Sequence, residues 1–238
     1  MTFEVVKKAR YWEALNDSAV FRSLGGFTLK ALDGLKHIQD AVTLRHLLPV
    51  RNNRILEIGG GASRVLPALH SSNERWNLDP FEGAGNGRTT VHEIPGVRLV
   101  SGLMGDNDPQ VPDGYFDILF SISVIEHITA VHLGKFWTDH ARVMKPGGSA
   151  FHAIDFYASE TGNKNDETRL DFYLNGPIAN GLRFKTPPSL HRPLTFRCDM
   201  ASNSDWGMWR WNQNVPSLAE KRATHQSVTL WMELEKPQ

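Results

Sequence analysis

The stretch that decides the fold runs from residue 54 to residue 61 and reads Arg54-Ile55-Leu56-Glu57-Ile58-Gly59-Gly60-Gly61. Its apolar half predicts a buried parallel strand, and its glycines predict a turn that lets the backbone approach a ligand closely. Ser63 follows where it is expected to cap a helix. A strand, a turn and a helix in this order present free backbone N–H groups in a sheet crevice, where nucleotide-like cofactors bind.

The overall composition is that of an ordinary globular chain. It has 238 residues, of which 40% are hydrophobic, and a formal net charge of zero. The length fits one large domain, and the balanced charge argues against a general nucleic-acid binder. The single cysteine, Cys198, excludes an internal disulfide framework. Residues 1–10 lack the apolar centre of a secretory signal, and no segment is apolar enough to span a bilayer, so we expect a cytoplasmic protein without a membrane partner. The balanced charge leads us to expect no nucleic-acid partner either.

Strand-like and helix-like segments alternate along the first two thirds of the chain, which predicts right-handed crossovers and a parallel sheet. Strands are predicted at residues 54–58, 76–78, 97–100, 116–122, 149–154 and 227–234, and helical spacing marks residues 31–48 and 133–144. Residues 158–216 show no clear period and are left undivided. The expected organisation is one domain, with an N-terminal helical segment (1–50), a cofactor-binding core (51–155), a substrate cap (156–225) and a terminal strand (226–238).

Four features of the core come in a fixed order. Glu57 closes the first strand, and Asp79 ends the second about 20 residues later, a spacing that suits a carboxylate bonded to a ribose diol. The third feature is DGYFDILFS at residues 113–121, followed by VIEH at residues 124–127, and the fourth is RVMKPGG at residues 142–148. This series resembles the class I S-adenosylmethionine-dependent methyltransferases, in particular the group that methylates small molecules and carries Glu-His after the fourth strand.

The resemblance covers roughly residues 50–155 and implies both a fold and a cofactor. The fold is α/β: a doubly wound, Rossmann-like, seven-stranded, mostly parallel sheet with an antiparallel last strand and helices on both faces. The cofactor is S-adenosylmethionine, bound at the carboxyl ends of the first strands. The cofactor-binding positions it implies are Glu57, Gly59, Gly60, Gly61, Ser63, Asp79, Pro80, Leu103, Met104 and Ser121.

These positions divide by the part of the cofactor that they would contact. Gly59 and Gly61 would lie against the amino-acid part, where Glu57 helps to hold the amino group. Asp79 would bind the ribose hydroxyls. The adenine would lie against Pro80, Leu103 and Met104, with Asp106 as an acceptor for its amino group, and Ser121 would lie near the methionine moiety.

Two residues beyond the later strands are candidates for a general base. His127 titrates near neutrality, but Glu126-His127 has the alternative role of orienting the loop beneath the cofactor. Asp155 is predicted at the carboxyl edge of the fifth strand. Four roles stay open for it: a base, a substrate ligand, a metal ligand, or a cap of a helix or turn. Oxygen ligands for a metal would come from Asp155, Glu160, Asp166, Glu167 and Asp171. Their spacing matches no compact ligand motif, and no metal is predicted.

The acceptor is less well defined by the sequence. Trp206, Trp209 and Trp211 either stack on a sugar or aromatic substrate or close the core. A basic stretch either recognises a phosphate or carboxylate or forms a solvated loop; it comprises Arg183, Lys185, His191, Arg192 and Arg197. Tyr11 and Trp12 either cover the cofactor or dock a helix on the sheet. We predict methyl transfer to an oxygen of a small polar acceptor, a sugar or natural-product intermediate.

Two other functions stay open. A nicotinamide-dependent oxidoreductase or epimerase also uses a glycine turn, but its fingerprint needs a third glycine where this chain has Arg64. A cofactor-binding protein without catalytic activity would keep the pocket and lack the base. The oligomeric state is open as well.

Overall fold

The computed structural model describes residues 3–25, 35–83, 88–159, 161–162, 164–190, 192–195 and 225–238. The strands are β1 (Phe3–Val5), β2 (Arg54–Ile58), β3 (Glu74–Leu78), β4 (Val97–Val100), β5 (Phe116–Ile122), β6 (Met144–Ser159), β7 (Arg183–Phe184) and β8 (His225–Glu235). The helices are α1 (Lys8–Leu15), α2 (Ser18–Ser23), α3 (Leu35–Leu47), α4 (Ala130–Val143) and α5 (Lys164–Ala179). Short 3₁₀ turns cover Leu66–Ala68 and Ile125–His127.

These strands form one sheet in the order β1-β8-β6-β5-β2-β3-β4. Strands β2 to β6 are parallel, and β8 runs antiparallel to β6 from the Ser149–Glu235 pair to the Ser159–His225 pair. The predicted mostly parallel sheet with an antiparallel last strand is therefore confirmed. The strand order reverses at β2, which has β3 on one side and β5 on the other, so a ligand crevice is expected beyond the carboxyl ends of β2 and β5.

The edge of the sheet beside β8 is shared by two short strands that the sequence did not predict. β1 pairs with residues 230–232 of β8, and β7 pairs with residues 234–235. The rings of Phe3 and Phe184 stack with centroids 5.9 Å apart, which joins the two short strands. Seven positions across the sheet are thus filled by eight strands.

Helices cover both faces of the sheet, as expected for buried parallel strands. On one face, α1, α2 and α3 bury side chains such as Ile38 and Leu44 against Ile118 and Phe120 of β5. On the other face, α4 and α5 pack on the strands through a cluster that includes Leu133, Phe136, Trp137, Leu170 and Tyr173. Among the described residues, no helix has both the length and the apolar character needed to cross a membrane.

The helix predicted after the glycine turn is wrong. Residues 59–73 contain only the 3₁₀ turn Leu66–Ala68, and Ser63 caps that turn by accepting from the N–H groups of Val65 (3.2 Å) and Leu66 (2.9 Å). Pro67 removes one N–H within this turn. The free N–H groups of a following helix are therefore not available to a ligand here.

The undivided region contains α5 and β7, and β6 extends past its predicted end to Ser159. Several residues singled out in the sequence lie outside the described residues. They are Glu160, His191, Arg197, Cys198, Trp206, Trp209 and Trp211.

Candidate active site

A cavity of about 560 Å³ opens at the carboxyl ends of the central strands. Its wall is formed by residues 57–60, residues 78–80, residues 102–106, residues 122–124 and residues 127–129, with Lys36 and Asp40 of α3. This volume lies within the usual range for small-molecule sites, and the cavity occupies the crevice where the strand order reverses.

Two glycines of the bend, Gly59 and Gly60, leave no room for a side chain. Gly59 has φ +67°, and a Cβ atom added there would lie 2.5 Å from a methyl carbon of Val124. A Cβ atom on Gly60 would lie 2.5 Å from Asn77 Oδ1 and 2.8 Å from the Glu57 carboxyl carbon. Glycine at position 59 is therefore required both by the backbone angle and by the close approach of the β5 loop.

Two buried oxygen acceptors beside the bend have no donor among the residues that the structure describes. Asn77 donates its Nδ2 to the carbonyl of Gly61 at 2.8 Å, but within this described part neither its Oδ1 nor Glu57 Oε2 has a hydrogen-bond partner. Burial raises the pKa of Glu57 to about 8, although a hydrogen bond from Ser63 and the charge of Arg64 lower it in part. Unpaired buried acceptors are costly, so these two atoms mark a place for a donor.

Asp79 ties the two loops at this edge together. Its Oδ2 accepts from the N–H of Gly61 at 2.8 Å and its Oδ1 accepts from the N–H of Phe81 at 2.7 Å. Each carboxylate oxygen keeps a further lone pair. Pro80 lines the cavity beside it.

The loop after β4 forms the adjoining wall of the cavity. Leu103 is 45% exposed and Met104 is 9% exposed, and both line the cavity together with Asp106. This loop therefore offers apolar surface and one carboxylate at the same end of the cavity as Asp79.

Ser121, which the resemblance placed near the methionine moiety, is buried away from the cavity wall. Its Oγ lies 2.8 Å from His152 Nδ1, and His152 Nε2 lies 3.1 Å from His140 Nε2. Successive side chains of a strand point to opposite faces, so Ser121 faces α4 while Ile122 and later residues reach the cavity. Burial lowers the pKa of both histidines, that of His140 to about 3. No local pattern in the sequence links these three side chains, because they come from β5, β6 and α4.

His127 lies on the cavity wall at the end of its 3₁₀ turn, with a side chain that is 43% exposed. Partial burial lowers its pKa, the charges of Lys36 and Arg169 act in the same direction, and Asp155 opposes them. The imidazole is therefore neutral at neutral pH. Its Nε2 lies 3.7 Å from Oε1 of Glu126, and the buried carboxyl of Glu126 has no hydrogen-bond partner in the described part of the chain.

Asp155 is 6% exposed and accepts hydrogen bonds from three side chains. They are Gln39 Nε2 at 2.5 Å, Ser123 Oγ at 2.5 Å and Lys36 Nζ at 3.3 Å. Lys36 and Ser123 line the cavity, whereas Asp155 itself does not. The carboxylate is therefore held one layer behind the wall, and Ser123, with φ +53°, stands in front of it.

Asp40 and Arg64 form a further pair at the cavity that the sequence did not predict. Arg64 donates through Nε at 2.5 Å and Nη2 at 2.9 Å to the two oxygens of Asp40, whose side chain is buried. Arg64 thus uses the position where a nicotinamide fingerprint has glycine, and it joins the glycine bend to α3.

The remaining sequence candidates lie away from this cavity. Among the residues that the structure describes, no three His, Cys, Asp or Glu side chains are arranged to hold a metal ion. Glu167 and Asp171 pair with Arg192 at 2.8 and 2.7 Å.

The other described candidates also have partners elsewhere. Arg183 pairs with Glu235 at 2.7 Å, and Lys185 Nζ lies 5.0 Å from the ring centre of Phe151. Tyr11 is buried in the core beneath α1, and neither it nor Trp12 lines the cavity.

With this geometry in place, comparison with known proteins decides the family. Residues 56–152 match the family model described as a methyltransferase domain. This segment is a class I S-adenosylmethionine-dependent methyltransferase domain. The match runs from β2 into β6 and includes the glycine bend, Asp79 and the Glu126-His127 pair, so the family and cofactor that the resemblance implied are confirmed.

Solved structures agree with the fold of the methyltransferase domain. The YcgJ protein of Bacillus subtilis is 17% identical, with a TM-score of 0.51 over 83% of this chain and 97% of that chain. Phosphoethanolamine N-methyltransferase 2 of Haemonchus contortus is 13% identical, with a TM-score of 0.54 over 96% of this chain and 60% of that chain. Geranyl diphosphate C-methyltransferase of Streptomyces coelicolor A3(2) is 12% identical, with a TM-score of 0.53 over 84% of this chain and 77% of that chain. No curated protein sequence matches the chain.

Proposed function

We propose that this methyltransferase transfers a methyl group to an oxygen of a small polar acceptor, a sugar or natural-product intermediate being the preferred class. The observation that carries the proposal is the neutral, solvent-accessible imidazole of His127 on the wall of the cavity beside the glycine bend. A hydroxyl group loses its proton as its oxygen attacks a methyl group. A neutral imidazole is suited to accept that proton.

The residues around the bend fit the cofactor. S-adenosylmethionine supplies a methyl group that is already activated by a positive sulfonium. Glu57 Oε2 and Asn77 Oδ1 are buried acceptors that have no donor among the described residues, and an amino group would satisfy them. The close approach of Gly59 and Gly60 to their neighbours leaves the cavity side of the bend to a ligand.

The nucleoside part is proposed to lie toward β3 and β4. Asp79 keeps lone pairs that can accept from two ribose hydroxyls after it has bonded Gly61 and Phe81. Pro80, Leu103 and Met104 would provide apolar contacts to the adenine, and Asp106 an acceptor for its amino group. Ser63 acts in this proposal by capping the turn that follows the glycine bend. Ser121 faces α4 and is not assigned a contact with the cofactor.

The acceptor would lie between His127 and the wall formed by Ser123 and Lys36. Transfer is an in-line displacement, so holding the acceptor oxygen on the methyl–sulfur axis supplies much of the rate. Asp155 is proposed to act on the acceptor through Ser123, whose hydroxyl stands between the carboxylate and the cavity. The preference for a sugar rests mainly on Trp206, Trp209 and Trp211, which lie outside the described residues, and on the basic stretch of the sequence.

Two measurements test the proposal. Calorimetric titration with S-adenosylmethionine and, separately, with NAD should give binding of the first and none of the second. Release of S-adenosylhomocysteine should then be measured with matched acceptor pairs, a sugar and its amino-sugar analogue, or a phenol and an aniline. Faster release with the hydroxyl member supports oxygen transfer. Faster release with the amine member overturns it, and cofactor binding without release for any acceptor favours a protein that binds but does not catalyse.

A further inference from the structure

Arg169, on α5, reaches the loop that carries His127. Its Nη2 donates to the backbone carbonyl oxygens of Glu126 and Ile128, the second at 2.9 Å, and its Nε donates to Tyr173 Oη at 2.7 Å. The two carbonyls belong to the residues on either side of His127. One guanidinium therefore fixes the backbone before and after the proposed base.

Helix α5 is a firm support for this contact. Leu170 and Tyr173 are fully buried in the core. A Cβ atom on Gly176 would lie 2.4 Å from a ring carbon of Trp137, so α5 packs directly against α4 at that point. Thr138 Oγ1 also donates to Asn180 Oδ1 at 2.7 Å beyond the end of α5. A guanidinium anchored on this helix can hold a loop in place.

The loop itself has limited internal restraint. The N–H of His127 donates to Val124 at 2.9 Å, and the N–H of Ile128 donates to Ile125 at 3.2 Å. These bonds close one short turn, but they use none of the carbonyls at positions 126 and 128. Arginine presents its donors in a rigid planar fork that can hold two carbonyls and a phenol at once, whereas lysine carries its three donors on one nitrogen at the end of a flexible stem.

We propose that Arg169 is a positioning residue that sets the imidazole of His127 at the cavity wall by holding the two backbone carbonyls that flank it. This inference rests on the proposed role of His127 as the base. It assigns to the substrate-cap region a part in catalysis in addition to acceptor recognition.

The electrostatic surroundings of His127 give the inference a readout. The groups that face its ring are the carboxyl of Glu126 at 3.7 Å on its own turn, Asp155 on β6, Lys36 on α3 and Arg169 on α5. Burial is the largest cause of the lowered pKa of His127, and the positive charge of Arg169 adds to it. Removal of that charge should raise the pKa, whereas a purely structural arginine far from the ring would leave it unchanged.

The experiment uses the full chain with three arginine variants. Arg169→Gln removes both the fork and the charge, and Arg169→Lys keeps the charge but removes the fork. Arg192→Gln is the matched control, because Arg192 bonds Glu167 and Asp171 of α5 without contacting the His127 loop. Histidine ring signals are followed by NMR from pH 5 to 9, with His127→Gln identifying the signal. Cofactor affinity and the pH profile of methyl transfer are measured in parallel.

The expected results separate the inference from the proposed function. In Arg169→Gln the His127 pKa should rise, kcat should fall by about tenfold or more through misalignment, and cofactor affinity should stay within about twofold. Arg169→Lys should shift the ring signal and reduce kcat with a smaller change of pKa, and Arg192→Gln should match the unaltered protein. The inference is overturned if Arg169→Gln or Arg169→Lys folds and has both the His127 pKa and the kcat of the unaltered protein. If the ring signal shifts but no His127 variant affects transfer, Arg169 positions the loop and the proposed base is wrong.

Discussion

The Nε2 atoms of His140 and His152 lie 3.1 Å apart in a site that solvent does not reach. One ring must donate and the other accept, so the two rings cannot both be protonated, and full burial disfavours a charge on either one. Ser121 continues the chain at His152 Nδ1, and the rings of Phe136 and Trp137 enclose it. Protonation of either ring would place a charge in an apolar core.

This pair predicts acid-sensitive stability. Burial lowers the folded-state pKa of His140 to about 3, whereas the unfolded chain titrates near 6.5. Below about pH 6.5 the unfolded state therefore binds more protons. The stabilisation is fully present above that pH and is lost as the pH falls toward 3, by up to about 1.4 kcal/mol per pH unit for each histidine. Urea unfolding should be measured at pH 5 and pH 7.

The control for this experiment uses a second histidine. Glu57, with a raised pKa, shifts stability in the opposite sense, so the test is a difference between variants. His140→Gln should flatten the pH dependence between 5 and 7, while His132→Gln, on the exposed start of α4, should not. Equal slopes in all three proteins would contradict the assignment.

The second prediction concerns proton release on cofactor binding. Because burial raises the pKa of Glu57 to about 8 in the cofactor-free protein, most of this carboxyl is protonated at pH 7. A bound amino group favours the ionised form, so the carboxyl should lose its proton on binding and affinity should rise as the pH rises toward 8. A proton released on binding is taken up by the buffer, so calorimetry at pH 7 should give different binding enthalpies in phosphate and in Tris, because the two buffers have different ionisation enthalpies. Glu57→Gln should abolish that difference, and an unchanged difference would remove Glu57 from the amino-group site.

Glycine at position 59 gives a third prediction. Gly59→Ala adds a Cβ atom 2.5 Å from Val124 at φ +67°, which should cost on the order of 1–3 kcal/mol of folding free energy and weaken cofactor binding at least tenfold. Gly134→Ala, in α4 with no atom within 4 Å of the new Cβ, should instead stabilise the protein by about 0.5–1 kcal/mol. Thermal unfolding and cofactor titration measure both. Equal behaviour of the two variants would mean that the bend tolerates a side chain.

Asp79 carries the fourth prediction. Asp79→Ala removes the acceptor for ribose hydroxyls and for the N–H groups of Gly61 and Phe81, so cofactor affinity should fall by about 30-fold, the equivalent of one charged hydrogen bond of about 2 kcal/mol. Asp113→Ala removes an exposed carboxylate that pairs with Arg142 and should leave affinity unchanged. Calorimetric titration with S-adenosylhomocysteine compares them. Unchanged affinity in Asp79→Ala would place the ribose elsewhere.

The strands of the core were predictable because residues close to their ends in the sequence mark where they begin and end. β2 and β5 begin and end at the predicted residues. The apolar run of β2 lies between Arg54 and the glycine bend, and that of β5 follows the turn at Asp113-Gly114. α5 was not predicted, because Gly176 and Pro177 interrupt its sequence and its helical form depends on packing against α4. The predicted helix after the glycines is wrong although Ser63 supplies the cap that the sequence predicts, because that cap begins only the 3₁₀ turn Leu66–Ala68.

The candidate site was predictable only where a residue lies next to a strand end. Glu57, Asp79 and His127 could be found in this way, because parallel strands bring their carboxyl ends to one edge. The partners of Asp155 come from α3, more than one hundred residues earlier in the chain, and no local pattern links Lys36 or Gln39 to it. Such contacts depend on the packing of the helix across the sheet, which spacing along the chain does not specify.

The last prediction concerns the base itself. His127→Gln removes the imidazole but keeps a polar side chain on a loop that Arg169 still holds, so the fold and the cofactor affinity should be preserved. The kcat for a hydroxyl acceptor should fall by about 10²–10⁴, the usual contribution of general base catalysis, with little change in KM. In the unaltered enzyme, activity should decline as the pH falls through the lowered pKa of His127, because protonation removes the base, and the variant should lack this decline. His132→Gln, at the rim of the same cavity, is the control for a non-specific effect of losing a ring. Full turnover in His127→Gln with an unaltered pH profile would exclude His127 as the base and direct the search to Asp155 and Ser123.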